Sequence, residues 1–446
     1  MNPPNRTSIR SSPVISAGPA VVVTLYILLW GFEGAVRKWV PGLDSTFYVA
    51  RDAFILVALL AVALLSSRAR RQPYLVWIFM LVMLVVACTS VIGGNPLAVG
   101  VIGIRSYVAP LLLVGFISLV DKRNLVVAAV RAVCVVAVVN LPLTIAQVLS
   151  SPAAVINKQV GDGTAYFVNP GDVVRASGTF SSPLGHTQML PLALAASLVA
   201  LNSKVVSKSV ALPTLFAVAV MTILSGSRGA VVSDVIVIVA YLYIMVALGT
   251  FRSLGVAVAF TTVIAGVVAA TASFFPTVVD SFLLRVDQAS KAEDVSGRVL
   301  GSTFDFLTMQ FTIMGSGPGA ASTAAQNLGI GLAVENDMPR WVTELGVLGF
   351  VLAIARLCIG VWLVWIILRG PRKSSMLSLL FAAVLAPVML TGVITLTPSS
   401  QGAFAIALAM FILGRGSGPA DSPPARLTRR VPVHADARHE PTGSAT

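Results

Sequence analysis

The sequence predicts an all-α fold, a polytopic membrane protein with about 12 transmembrane helices and a large extracytoplasmic loop. Of its 446 residues, 56% are hydrophobic and only 11% are charged, whereas a soluble domain carries about 25% charged residues. The apolar residues form runs near the ~20 residues that a helix needs to cross the hydrocarbon core. Lys and Arg collect in the short segments between alternate runs.

The spanning segments follow from these runs, because an apolar stretch of this length is most stable as a helix within lipid. Polar or Gly/Pro-containing turns separate most of them. The predicted segments are 18–36, 46–66, 74–93, 97–120, 125–149, 183–202, 207–225, 228–250, 253–275, 342–368, 374–395 and 398–414.

The distribution of cations predicts the orientation, because cytoplasmic loops carry an excess of Lys and Arg. Both termini then lie in the cytoplasm, and two long loops, 150–182 and 276–341, lie outside. The membrane domain covers 18–414, between an N-terminal tail, 1–17, and a basic tail, 415–446, whose Pro, Gly, Ser and Arg content predicts disorder. The first apolar run leads into polar residues rather than a small-residue cleavage site, so we expect no cleavable signal peptide.

The net charge of +13 does not indicate nucleic acid as a partner. The cations flank apolar runs, where they set topology and meet anionic headgroups, so the predicted partner is the lipid bilayer. Cys88, Cys134 and Cys358 each fall in an apolar run without metal-ligand spacing and are interpreted as packing residues. We expect no metal and no cofactor, and the absence of a visible internal repeat disfavours many transporter folds.

Several cations nevertheless fall on the predicted outer half, where a charge within hydrocarbon costs roughly 2.5–3.5 kcal/mol. Arg37 and Lys38, beside Trp39, are interpreted as a headgroup anchor. For Arg175 and Arg228 we favour a cationic cleft that binds an anionic lipid, with a lipid diphosphate as the obvious candidate. Arg suits this role because its planar guanidinium binds phosphate oxygens in pairs.

Both arginines belong to polar turns that precede a predicted helix, and free backbone N–H groups at a helix start form an anion site. Arg175 opens the segment RASGTFSSP, and Arg228 lies in SGSRG. The further predicted diphosphate-binding residues are Arg298, Arg285 and Arg340.

The motifs together resemble the O-antigen ligase/O-antigen polymerase superfamily of bacterial envelope polysaccharide assembly. This resemblance implies a membrane glycosyltransferase in the cytoplasmic (inner) membrane. It would move a glycan, without metal, from a polyprenyl-diphosphate carrier to an acceptor hydroxyl on the outer face. The acceptor would be a glycan or a lipid, so the enzyme would act as a polysaccharide polymerase or a ligase. The motifs are RASGTF from Arg175, SGSRGA from Ser225, SGR from Ser296, GSGPG from Gly315 and ENDMPRWVTELG from Glu335.

The family commonly has His-Asn where this chain has Glu335 and Asn336, and that His is usually discussed as catalytic. A carboxylate at Glu335 can accept the acceptor's proton but cannot donate a hydrogen bond while ionised. Our predicted base is Glu335, with Asp337 as second choice; the alternative for Glu335 is a carboxylate that stabilises a helix start. His186 is equally compatible with a core histidine and with the missing imidazole.

The remaining acids are predicted to pair with cations. Asp52 follows Arg51, Glu344 is expected to pair with Arg356 or with an arginine of another helix, and Asp234 is expected to find a similar partner. Two other functions stay open at this point. One is a flippase for lipid-linked oligosaccharide, and the other is a non-catalytic component of a polysaccharide export complex.

Overall fold

A computed structural model provides the architecture of the chain. The structure describes residues 13–65, 88, 93–122, 124–160, 168–169, 173–202, 206–248, 251–292, 301, 303–322, 325–326, 328–332, 334, 336–371 and 374–415.

These residues form thirteen α-helices and one two-stranded antiparallel ribbon. The helices are α1 (Pro13–Trp39), α2 (Asp44–Leu65), α3 (Leu97–Leu119), α4 (Leu125–Leu149), α5 (Pro183–Asn202), α6 (Lys208–Leu224), α7 (Arg228–Ala247), α8 (Phe251–Phe274), α9 (Pro276–Ala292), α10 (Asp337–Leu345), α11 (Val347–Arg369), α12 (Met376–Thr391) and α13 (Pro398–Arg415). Short 3-10 turns cover Val155–Asn157 and Asp305–Leu307, and the strands are β1 (Val168–Asn169) and β2 (Val173–Val174).

The predicted helical, multi-pass membrane architecture is confirmed. Within the described residues, 7 helices are long and apolar enough to cross a bilayer, or 8 if the bent pair α8–α9 counts as one span. The seven are α1 from Gly18 onward, α2, α3, α4, α5, α7 and α11. The count of twelve stays a prediction: α6 and α12 are apolar but shorter, and 74–93 falls almost wholly outside the described residues.

Helix α5 lies at the centre of the bundle: 83% of its most apolar 18-residue segment is buried. In α11 only 22% of the corresponding segment is buried. Small residues along α5, such as Ala193, Ala195 and Ala196, are fully buried and allow neighbouring helices to approach closely. The exposed face of α11 carries Trp362 and Trp365, which suits contact with lipid. Helix α5 is thus held by close packing with its neighbours, and α11 lies at the rim of the bundle.

One end of the bundle gathers most of the irregular chain, and we call it the loop end. It comprises the α1–α2 connection, residues 150–160, 168–169 and 173–182, residues 303–322 with the described positions between 325 and 345, and the α12–α13 connection. Hydrogen bonds join two of these segments across the sequence: Arg340 Nη1 donates to the Thr395 carbonyl at 3.3 Å, and the Trp341 indole donates to the Thr395 hydroxyl at 3.1 Å.

Parts of the predicted loop 276–341 are helical. Its first part is α9, which turns by 97° from the end of α8 at Pro276. Its last part is α10, so the predicted tenth span does not start at 342: a break at Gly346 separates α10 from α11. Gly346 has φ +59°, and a Cβ there would lie 2.2 Å from the Ile313 carbonyl oxygen. The chain can turn so sharply because Gly lacks that atom.

Candidate functional site

A cavity of about 720 Å³ opens in the loop end, and we call it the polar cavity. Two arginines, one carboxylate and many hydroxyl and amide side chains face it, which suits a ligand rich in hydroxyl or phosphate groups. Its lining is Arg37, Asp44, Tyr48, Ile102, Ser106, Val160, Ser181, Ser182, Ala321, Ser322, Gln326, Val334, Arg340, Leu396, Thr397, Pro398 and Gln401.

Arg340 is the predicted diphosphate ligand that the structure places on this cavity. Its Nε lies 2.9 Å from Glu344 Oε1, one turn later in α10. The Glu344 carboxylate also accepts from the Tyr107 hydroxyl at 2.8 Å and from the Ala321 N–H at 3.0 Å. Burial lowers the pKa of the Arg340 guanidinium, but Glu344, Tyr107 and Asp337 together raise it further, so the pKa ends above its ordinary value. Arg340 therefore stays a cation at the cavity wall.

Asp337, the second predicted base, is buried and already engaged. One of its oxygens accepts from the backbone N–H groups of Ile394 and Thr395, and the other accepts from the Thr395 hydroxyl at 2.9 Å. Arg356 Nη1 lies 3.5 Å away. Glu344 thus pairs with Arg340 rather than with Arg356, whose partner is Asp337. Asp337 fixes the start of α10 on the α12–α13 connection.

The position of Lys38 contradicts its interpretation as a headgroup anchor. Lys38 does not reach towards headgroups: it is 2% exposed, and its ammonium donates to the Gly178 carbonyl at 2.6 Å and to the Ser177 hydroxyl at 3.1 Å. Gln147 and Asn140 of α4 hold the same turn by accepting from the N–H groups of residues 177–179. Lys38 therefore fixes the turn that leads to the cavity-lining Ser181 and Ser182.

Arg37, the other half of the predicted anchor, lines the polar cavity and pairs with Asp44 at 2.6 Å. Sequence reasoning missed it as a site residue, together with Tyr48. The segment GFEGAVRKW from Gly31 was the one sequence feature that could have identified Arg37, since it puts Glu33 and Arg37 one helical turn apart. That spacing does not reveal which side of α1 meets the loop end.

His186 is fully buried in the first turn of α5 and is not among the residues that line the polar cavity. Neither ring nitrogen has a hydrogen-bond partner among the described residues. A Cβ on Gly178 would lie 3.0 Å from its Nδ1, so the ring packs behind the turn that Lys38 holds. This position is that of a core residue that supports the turn.

Of the four other predicted diphosphate ligands, two do not line the polar cavity, one falls in α9 and one lies outside the described residues. Arg175 follows β2, and Arg228 begins α7; neither is among the residues that line the polar cavity. Arg285 falls in α9, and Arg298 lies outside the described residues. Glu335 also lies outside them, between the cavity-lining Val334 and the described Asn336.

Arg228 instead adjoins a second, mostly apolar cavity of about 260 Å³. Ser227 and Gly229 line it, together with residues of α5, α12 and α13. Within the described residues, no three His, Cys, Asp or Glu side chains come close enough to hold a metal ion.

The predicted acid–base pairs are partly confirmed. Arg51 and Asp52 pair at 2.7 Å, as the sequence predicted. Asp234 accepts from the Thr222 hydroxyl at 2.5 Å, a hydroxyl partner rather than the cation we expected.

Comparison of the sequence with known proteins found no matching protein-family profile and no similar curated protein.

Proposed function

We propose that the protein is a glycosyltransferase that moves a glycan from a polyprenyl-diphosphate carrier to an acceptor hydroxyl at the outer surface of the cytoplasmic membrane. The polar cavity is the observation that carries this proposal. It combines two arginines with hydroxyl and amide side chains at one end of an apolar helical bundle. A substrate with a membrane-bound tail, a diphosphate and a sugar needs these three environments together.

The reaction requires a base and a cationic environment for the leaving group. The acceptor oxygen would attack the anomeric carbon of the first sugar and form the new glycosidic bond. The bond from that carbon to the diphosphate oxygen would break, and the carrier diphosphate would leave with the bonding electrons. A base takes the hydroxyl proton, and fixed cations stabilise the charge that develops on the diphosphate.

Glu335 is our choice for the base because the residue before it, Val334, lines the polar cavity. Asp337 is less suitable, since its carboxylate oxygens are occupied by the α12–α13 connection. His186 is less suitable because it packs behind the wall of the cavity. Arg340 would supply one cation for the diphosphate, and Arg37 a second.

Transfer by the purified full chain tests the proposal. The wild-type protein in lipid nanodiscs should convert a polyprenyl-diphosphate oligosaccharide and a free acceptor into longer glycan and released carrier. Glu335→Gln should slow this conversion by about 10²–10⁴-fold, the usual contribution of a general base. Asp305→Asn, which changes an exposed carboxyl of the same loop region, is the matched control and should leave the rate unchanged.

Two outcomes would contradict this function. Equal rates for wild type and Glu335→Gln would remove Glu335 as the base. Movement of the labelled carrier across a vesicle membrane without any change in the glycan would instead favour a flippase.

A further inference from the structure

We propose that Arg37 and Tyr48, which line the polar cavity, and Arg105, which lies between the lining positions Ile102 and Ser106 of α3, form one oxyanion-binding wall that takes the phosphate groups of the ligand. We call these three residues the Arg–Tyr–Arg wall. The inference rests on the proposed function only in naming a lipid diphosphate as the ligand. No sequence motif discussed above assigns an anion to these residues.

The Tyr48 ring lies against both guanidinium groups. The Arg37 Cζ is 4.9 Å from its centroid, and the Arg105 Cζ is 4.2 Å from it. The negative face of an aromatic ring attracts a cation at these distances. The ring therefore holds two positive groups near each other, and Arg37 and Tyr48 both line the cavity.

Three guanidinium groups and three carboxyl groups meet around the wall, and Asp44 pairs with Arg37 at 2.6 Å. Asp52 serves two arginines at once: its Oδ1 lies 2.7 Å from Arg51, and its Oδ2 lies 2.6 Å from Arg105. Glu33 lies 3.8 Å from Arg51 Nη1, too far for a hydrogen bond, and neither of its oxygens has a hydrogen-bond partner among the described residues. Two hydrogen-bonded carboxylates, Asp44 and Asp52, thus serve three guanidinium groups, and Arg105 keeps a donor for a further anion.

Arg105 also has an unused donor. Its Nε and Nη2 bind Asp52, and Nη2 donates to the Tyr48 carbonyl at 2.7 Å. Its Nη1 is buried and has no hydrogen-bond partner among the described residues. A buried donor without an acceptor is costly, and the neighbouring positions Ile102 and Ser106 of α3 both line the cavity. A phosphate oxygen at this wall would supply the missing acceptor.

Binding of short prenyl probes to the full chain in detergent tests the wall. Farnesyl diphosphate should bind, and Arg105→Gln should weaken that binding by about 10-fold to 100-fold, as expected for a lost charged hydrogen bond. Tyr48→Leu, which removes the ring between the guanidinium groups, should weaken it as well, whereas Tyr48→Phe keeps the ring and should change it by less than about 3-fold. Farnesol lacks the anion, so its binding should be the same in all variants.

Arg415→Gln is the matched control, because Arg415 lies over the Trp362 ring at 5.3 Å but at the opposite end of the bundle. It should bind farnesyl diphosphate like the wild type. If Arg105→Gln does not fold, Tyr48→Leu carries the test. Equal affinity of the wild type and the Arg105→Gln and Tyr48→Leu variants for farnesyl diphosphate would overturn the wall, and so would a wild-type protein that binds farnesol as tightly.

Inorganic diphosphate separates the two possible sources of the anion. If it binds as tightly as farnesyl diphosphate, the wall recognises a free diphosphate; if it binds more weakly, the wall recognises a lipid headgroup, and both results support an oxyanion site. The wall and the proposed function can fail separately. Probe binding that depends on Arg105 without any glycan transfer would retain the wall and reject the enzyme, whereas transfer that is unaffected by Arg105→Gln would do the reverse.

Discussion

Glu344 shows how a single buried carboxylate organises the loop end. It lies in α10, where it pairs with Arg340, and it accepts hydrogen bonds from Tyr107 of α3 and from the Ala321 N–H, so it ties α10 to α3 and to the turn at Ala321.

Glu344→Gln should lower the free energy of unfolding by about 3–5 kcal/mol, because it leaves the Arg340 guanidinium buried without its counter-charge. Thermal unfolding in detergent measures this loss. Asp280→Asn, at an exposed position of α9, should have little effect. A Glu344→Gln protein as stable as the wild type would show that the ion pair contributes no net stability.

The contacts of single residues show which pairings the sequence could predict and which it could not. Arg51 and Asp52 are adjacent, so their pairing was predictable. Lys38 was not: its partners, Ser177 and Gly178, are about 140 residues away in the chain, and a lysine beside a tryptophan at a helix end is typical of a headgroup anchor. Contacts of this range depend on the helix arrangement, which local sequence patterns do not specify.

At the scale of elements, the helices were predictable because lipid forces every long apolar run to satisfy its own backbone hydrogen bonds. Helices α9 and α10 were not predictable, since they carry charges and resemble a polar loop in composition. The break between α10 and α11 depends on Gly346, whose positive φ is not encoded by hydrophobic periodicity.

Gly346→Ala tests this break. The added Cβ would meet the Ile313 carbonyl at 2.2 Å in a backbone conformation that favours glycine, so the free energy of unfolding should fall by about 1–3 kcal/mol. Gly266→Ala in α8 is the matched control, because nothing lies within 4 Å of its Cβ position. Equal thermal stability of the two variants would show that the chain relaxes around the new methyl group.

At the scale of the whole molecule, the structure puts the polar cavity and the long connections at one end of the bundle. The Lys and Arg residues of the short loops and of the two tails predicted which membrane face this is, and that assignment stays a prediction.

Cysteine labelling tests the orientation. In a protein whose Cys88, Cys134 and Cys358 are replaced by Ser, Val155→Cys at the exposed loop end should react with a membrane-impermeant maleimide from outside the cell. Ser209→Cys, exposed at the opposite end of the bundle, should react only after the membrane is opened. The reverse pattern would place the polar cavity on the cytoplasmic side.

The buried guanidinium of Arg356 has a consequence for biogenesis. It lies within α11, yet its partners are Asp337, before that helix, and the carbonyls of Val388, Met389 and Gly392, at the end of α12. A nascent chain that ends after α11 would expose this charge to hydrocarbon at a cost of roughly 2.5–3.5 kcal/mol. This cost favours insertion of α11 together with α12, so we expect these two segments to partition into lipid as a hairpin rather than one by one.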